Sequence, residues 1–231
     1  MKKDFYLEKI GSRGDIDIWI VDGQKVRKEI EREFTNFGQH FRFPIIPEKE
    51  FWLDKEAQPN ERRFFIDHLL IEWQLQKEGR SYAVAIAEAD KKEKAERLKA
   101  GDLEAVKSDT GKLDPEKVHK HLLKKINCNG EDLSVWIVDG RLIRSSFYID
   151  FTEGGHDFVY KFVPKQEVWL DDDLMEKERL YVLLHELNER KLMSQGWTYD
   201  KAHANSSEIE WQSRHKPAIL EEKLKEMGWL I

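Results

Sequence analysis

Trp19-Ile20-Val21-Asp22-Gly23, the pentapeptide WIVDG, occurs a second time as Trp136 to Gly140, and this recurrence decides how the chain is read. The offset is 136 − 19 = 117. Held without a gap, it matches Phe34 to Phe151, Thr35 to Thr152, Gly38 to Gly155, Pro47 to Pro164 and Glu50 to Glu167. It then matches Trp52-Leu53-Asp54 to Trp169-Leu170-Asp171, Glu61-Arg62 to Glu178-Arg179, His68 to His185, Glu72 to Glu189, Gly79 to Gly196 and Glu93 to Glu210. About a third of positions 19–93 are identical to their partners, far above what ordinary composition produces. The chain is two copies of one unit.

Each copy carries the same pattern. "DIDIWIVDGQKVRKEIEREF" and "DLSVWIVDGRLIRSSFYIDF" are β-rich runs broken by Asp-Gly, which predicts a hairpin turning there. A glycine-containing loop follows, then a short strand, "EFWLD" or "EVWLD". From Glu178 the period changes: Leu180, Leu183, Leu184, Leu187 and Leu192 recur at helical spacing, Gly196 interrupts, and a second helix is predicted from about Tyr199 to Arg214. The expected fold class is α+β, two tandem repeats, each a small β-sheet followed by an α-helical hairpin. The expected boundaries are a first repeat over 1–99, a linker with a short Pro115-initiated helix over 100–126, and a second repeat over 127–231. A further Pro-initiated helix is expected in the tail "HKPAILEEKLKEMGWLI".

Composition narrows the function. The 231 residues are 40% hydrophobic and 36% charged with a net charge of −6, which provides a core but no basic field for nucleic acid. The single cysteine, Cys128, makes neither an internal disulfide nor a thiolate zinc site. No apolar run approaches the roughly 20 residues of a membrane span, and the start "MKKDFYLEKIGSRGD" lacks the apolar core of a signal peptide. A cytoplasmic, membrane-free protein with a protein or peptide as substrate or partner is the expectation.

The chemistry concentrates in "LLHELNER", residues 183–190. On a helix His185 and Glu189 share a face, with Glu186 beside them. Glu189 lies seven residues before Gly196 and His203 seven after it, so both stand about 10 Å from the turn and level with each other. His185 falls between the levels of His203 and Glu210. Two histidines and a carboxylate, His185, His203 and Glu189, make a metal-ligand set that suits zinc and also non-haem iron. Glu210 is placed as an outer partner or alternative ligand. "VLLHELNER" after "EVWLD" resembles the active-site helix of the zincin metallopeptidases, with a downstream helix supplying the third ligand as in their gluzincin branch. The resemblance implies zinc on His185 and Glu186 as general base; the motif's second histidine is Glu189 here.

The first copy keeps His68, Glu72 and Glu93 but has Leu69 in place of Glu186 and Ile86 in place of His203. Joint loss of a base and a ligand marks a degenerate site. The rival reading is a non-enzymatic interaction module in which the same residues form a polar knot, and a third is a closed structural metal site that includes Glu210. Other motifs are read as architecture: Asp171 to Asp173 as a helix cap, "VHKHLLKK" as a solvated linker helix, "TEGGHDF" as a hairpin loop, the recurring Trp19/Trp136 and Trp52/Trp169 as packing, and Tyr199 as packing because Tyr82 matches it.

Overall fold

The computed structural model describes residues 4–128 and 130–230. It contains two compact units, Met1–Leu103 and Glu104–Ile231, each a four-stranded sheet followed by helices. In the first, strands β1 (Tyr6–Arg13) and β2 (Ile16–Val21) form an antiparallel hairpin, followed by helix α1 (Gly23–Glu29), β3 (Phe37–Gln39), β4 (Glu50–Asp54) and the helices α2 (Arg62–Lys77) and α3 (Tyr82–Lys99). A short helix α4 (Asp102–Ala105) and a 3₁₀ turn at Pro115–Val118 precede the second unit's strands β5 (His119–Cys128) and β6 (Glu131–Val138). Helix α5 (Gly140–Ser146), β7 (Gly154–His156), β8 (Glu167–Asp171), α6 (Glu176–Ser194), α7 (Tyr199–His215) and α8 (Pro217–Glu226) complete it.

The sheet orders are β1-β2-β4-β3 and β5-β6-β8-β7, with the two central strands parallel in each. Central strands are covered on both faces, which is why "WIV" and "FWL" are unbroken apolar runs rather than alternating ones. In the second unit Val135, Ile137, Val168 and Leu170 pack with Leu183, Leu184 and Leu187 of α6 and with Leu220 and Leu224 of α8. The opposite face buries Val138, Ile143, Phe151 and Trp169. The repeated tryptophans pair directly across the central strands, Trp19 with Trp52 and Trp136 with Trp169. At Gly79 (φ +84) and Gly196 (φ +90) left-handed backbone ends α2 and α6 and starts the turn to the next helix, a conformation that favours glycine.

Several expectations fail. Asp22-Gly23 and Asp139-Gly140 are not hairpin turns: each Asp caps a helix, its side chain accepting from Lys25 N at 3.4 Å and from Leu142 N at 2.9 Å. The glycines are needed because a carboxylate sits against them; a Cβ on Gly23 would stand 1.8 Å from Asp54 Oδ2, and one on Gly140 2.1 Å from Asp171 Oδ2. The hairpin of the first unit turns instead between Arg13 and Ile16, where Gly14 has φ +61.

Residues 104–126 are not a linker but belong to the second unit, and the expected short helix at Pro115 is a single 3₁₀ turn. All of "VHKHLLKK" after Val118 lies in edge strand β5, where pairing with β6 overrides local helix preference and His119 stacks on Trp136 at 4.2 Å. Asp171 to Asp173 do not cap α6. Asp171 and Asp173 hold the buried Arg144 at 2.5 and 3.3 Å, and Asp172 accepts from Gly140 N at 3.2 Å. "TEGGHDF" contributes the edge strand β7. Among the described residues no helix is long and apolar enough to cross a membrane.

Candidate functional site

Three elements of the second unit meet at one point. Helix α6 presents His185, Glu186 and Glu189, helix α7 presents His203 and Glu210, and strand β7 presents His156. His203 Nδ1 lies 2.9 Å from Glu189 Oε2 and 3.1 Å from His185 Nε2, while His185 Nε2 and Glu189 Oε2 are 3.5 Å apart. The level placement of Glu189 and His203 about the Gly196 turn is therefore realised at hydrogen-bond distance. His185 reaches Glu210 with its other nitrogen, Nδ1 to Oε2 at 2.9 Å. The side chain of Glu189 is only 4% exposed and that of His203 is 36% exposed, so the cluster reaches solvent on the α7 side. There Tyr199 stacks on His203 with ring centroids 5.4 Å apart.

The donor set fits a metal. A tetrahedral ion with bonds of about 2.0–2.1 Å holds its donor atoms about 3.3 Å from one another. The three separations here, 2.9, 3.1 and 3.5 Å, bracket that value. Glu186 is buried next to this triad, and its carboxylate groups with His156 and Glu189 rather than with the two α-helical histidines. Glu210 does not enter the triad. It is tied to the far side of the His185 ring and is itself gripped by Arg214 at 3.0 and 2.8 Å. Arg214 in turn binds Glu178 at 3.0 Å, which closes a buried chain from His185 to the start of α6.

Electrostatics follow from this packing. Burial pushes the Glu186 carboxyl up to about 8, the Glu189 charge adds to the rise, and the charges of His185 and His203 oppose it. Burial alone would lower His185, yet the hydrogen bonds of Glu189 and Glu210 leave it well above the ordinary imidazole value. Burial would raise Glu210, but His185 and Arg214 hold it down at about 2. Glu189 is likewise depressed, against its burial, by His156, His185 and His203.

No family model, no curated protein and no solved structure matches the chain. The chemistry of the site therefore rests on its geometry and on the internal copy. The first repeat retains the outer chain residue for residue: His68 Nδ1 to Glu93 at 2.9 Å, Glu93 to Arg97 at 2.8 Å, and Arg97 to Glu61 at 2.7 Å. It has Leu69 and Ile86 where the second has Glu186 and His203, and Gln39 where the second has His156. Sequence reasoning missed His156 and the Arg214–Glu178 link. Arg97 and Arg214 are identical at the 117-residue offset, so that link was present as a signal; His156 has no identity to its partner and showed only as a difference between the copies.

Proposed function

We propose that the second repeat binds a divalent metal ion through His185, Glu189 and His203 and hydrolyses an amide or related carbonyl bond in a peptide or protein. The mutual spacing of the three donor atoms carries this reading. Two imidazoles and one carboxylate suit zinc first and non-haem iron second, and the "HELNER" resemblance to zincins points the same way. When bound, such an ion supplies a Lewis acid and a water of lowered pKa. The chain's own residues do the rest. Glu210, locked by Arg214, accepts a hydrogen bond from the His185 Nδ1–H and so directs the Nε2 lone pair inward. Glu186 takes the proton of the attacking water and passes it to the departing amine. The exposed edge of His203 marks the side from which substrate enters.

Metal analysis of the purified chain tests the reading. One equivalent is expected in the wild type, none in His203→Ala, and one in Glu186→Gln, with hydrolysis of peptide substrates reduced at least about 100-fold in the last. Absence of metal from the wild type sinks the proposal, and full turnover by Glu186→Gln removes that residue from it. A second reading, a non-catalytic interaction module, is favoured by one observation: His185, Glu189, His203 and Glu210 already satisfy one another by hydrogen bonds. A metal-free wild type whose unfolding is unmoved by zinc supports that polar knot instead.

A further inference from the structure

We propose that His156 is a positioning residue for Glu189, fixed with its proton on Nε2, and is not a metal ligand. His156 is fully buried on β7, and its Nε2 lies 3.1 Å from Glu189 Oε1. Its other nitrogen is also engaged: the backbone N–H of Phe158 donates to Nδ1 at 3.2 Å. A nitrogen that accepts a hydrogen bond carries no proton, so the neutral ring holds its single proton on Nε2 and directs it at the carboxylate.

The first repeat supplies an independent control. At the same position Gln39 makes the same two bonds: its Oε1 accepts from the Phe41 N–H at 2.8 Å, and its Nε2 donates to Glu72 Oε1 at 3.0 Å. An amide has its acceptor and donor on fixed atoms. Gln39 can therefore imitate only the imidazole tautomer in which Nδ1 accepts and Nε2 donates. Both repeats hold their glutamate by one oxygen with a donor from the edge strand, His156 in one and Gln39 in the other.

This excludes a competing arrangement. His156, Glu186 and Glu189 offer atoms close enough together to hold a second ion beside the first, with Glu189 shared. Ligation through His156 Nε2 would move the ring proton to Nδ1, directly against the Phe158 N–H, leaving two donors face to face in a buried site. The consequence for the first ion, which rests on the metal reading above, concerns Glu189. With Oε1 held by His156, Oε2 is the oxygen left beside His185 and His203, at 3.5 and 2.9 Å.

The test is a zinc titration of the full chain as wild type, His156→Gln and His156→Ala, together with a long-range proton–nitrogen correlation spectrum of the metal-free wild type. The titration is expected to show one zinc per chain in wild type and His156→Gln with affinities within about threefold, and a 10- to 100-fold loss in His156→Ala. The spectrum is expected to show the His156 proton on Nε2 alone. Two zinc ions in wild type falling to one in His156→Gln, or His156→Gln binding as weakly as His156→Ala, overturns the proposal. So does a proton on Nδ1. Failure of the wild type to take up zinc sinks the metal centre, and the spectrum then decides by itself whether His156 positions Glu189.

Discussion

At Glu186 the needs of the proposed reaction and of a stable core diverge. Its carboxyl lies buried on a helix whose neighbouring Leu183, Leu184 and Leu187 are core, and burial pushes its pKa up to about 8. The first repeat resolves the same position with Leu69, which is 1% exposed. Glu186→Leu is accordingly expected to stabilise the second unit by about 1–2 kcal/mol in denaturant unfolding, since apolar replacement of a buried polar group commonly does so at functional sites. A loss of stability would show that Glu186 is held by partners worth more than its desolvation. The first repeat offers a pH test. Burial lowers the His68 pKa, but Glu93, Glu72 and Asp90 leave it raised; burial raises Glu93, but His68 and Arg97 leave it lowered. The raised imidazole contributes stability in full below its unfolded value of 6.5, and this is lost as pH climbs through the folded pKa. The depressed carboxyl contributes above 4.5, and this is lost as pH falls through its folded pKa. The destabilisation caused by His68→Gln should therefore be largest between pH 4.5 and 6.5 and shrink on either side. A pH-independent difference would contradict it.

Among the elements, each helical hairpin is pinned by one buried arginine. Arg214 joins Glu210 on its own helix to Glu178 at the start of α6, and Arg97 joins Glu93 to Glu61 in the same way. Removing one partner leaves buried carboxylates uncompensated, so Arg214→Ala and Arg97→Ala should each cost about 3–5 kcal/mol, measured by urea unfolding. A cost below about 1 kcal/mol would mean that the carboxylates protonate or rehydrate cheaply. At the other end of the unit, Gly140→Ala would drive a methyl group into Asp171, and the lost Arg144–Asp171 geometry should lower stability by more than about 2 kcal/mol. The helix pairs were readable from the 3.6-residue period and the glycine between them. Strand β5 was not, because an edge strand with few buried side chains carries no strong alternation, and its identity comes from pairing with β6. The Asp-Gly steps were misread for a related reason: the same dipeptide serves a tight turn or a helix start, and only the carboxylate of Asp54 or Asp171 standing over the glycine selects the second.

At the level of the whole molecule, duplication yields one frame used twice with different contents. The first repeat holds His68 Nε2 and Glu72 Oε2 3.7 Å apart, close to the 3.5 Å of their counterparts, and of the three donors it has Ile86 in place of the imidazole. On the proposed metal reading, Ile86→His should therefore raise the zinc stoichiometry from one to two per chain, without adding hydrolysis because Leu69 supplies no base. Unchanged stoichiometry would show that the frame alone does not place the third ligand. The sequence by itself determined the duplication, the sheet-then-helix order and the residues that meet across the Gly196 turn, since identity at a constant offset and helical periodicity are properties of local order along the chain. Tertiary structure alone decided that Asp22 and Asp139 cap helices, that residues 119–128 form a strand, that Glu210 lies behind His185, and that His156 comes from another element to hold Glu189. Those assignments depend on which groups approach through space, and pairing, burial and hydrogen-bond direction set them only once the chain has folded.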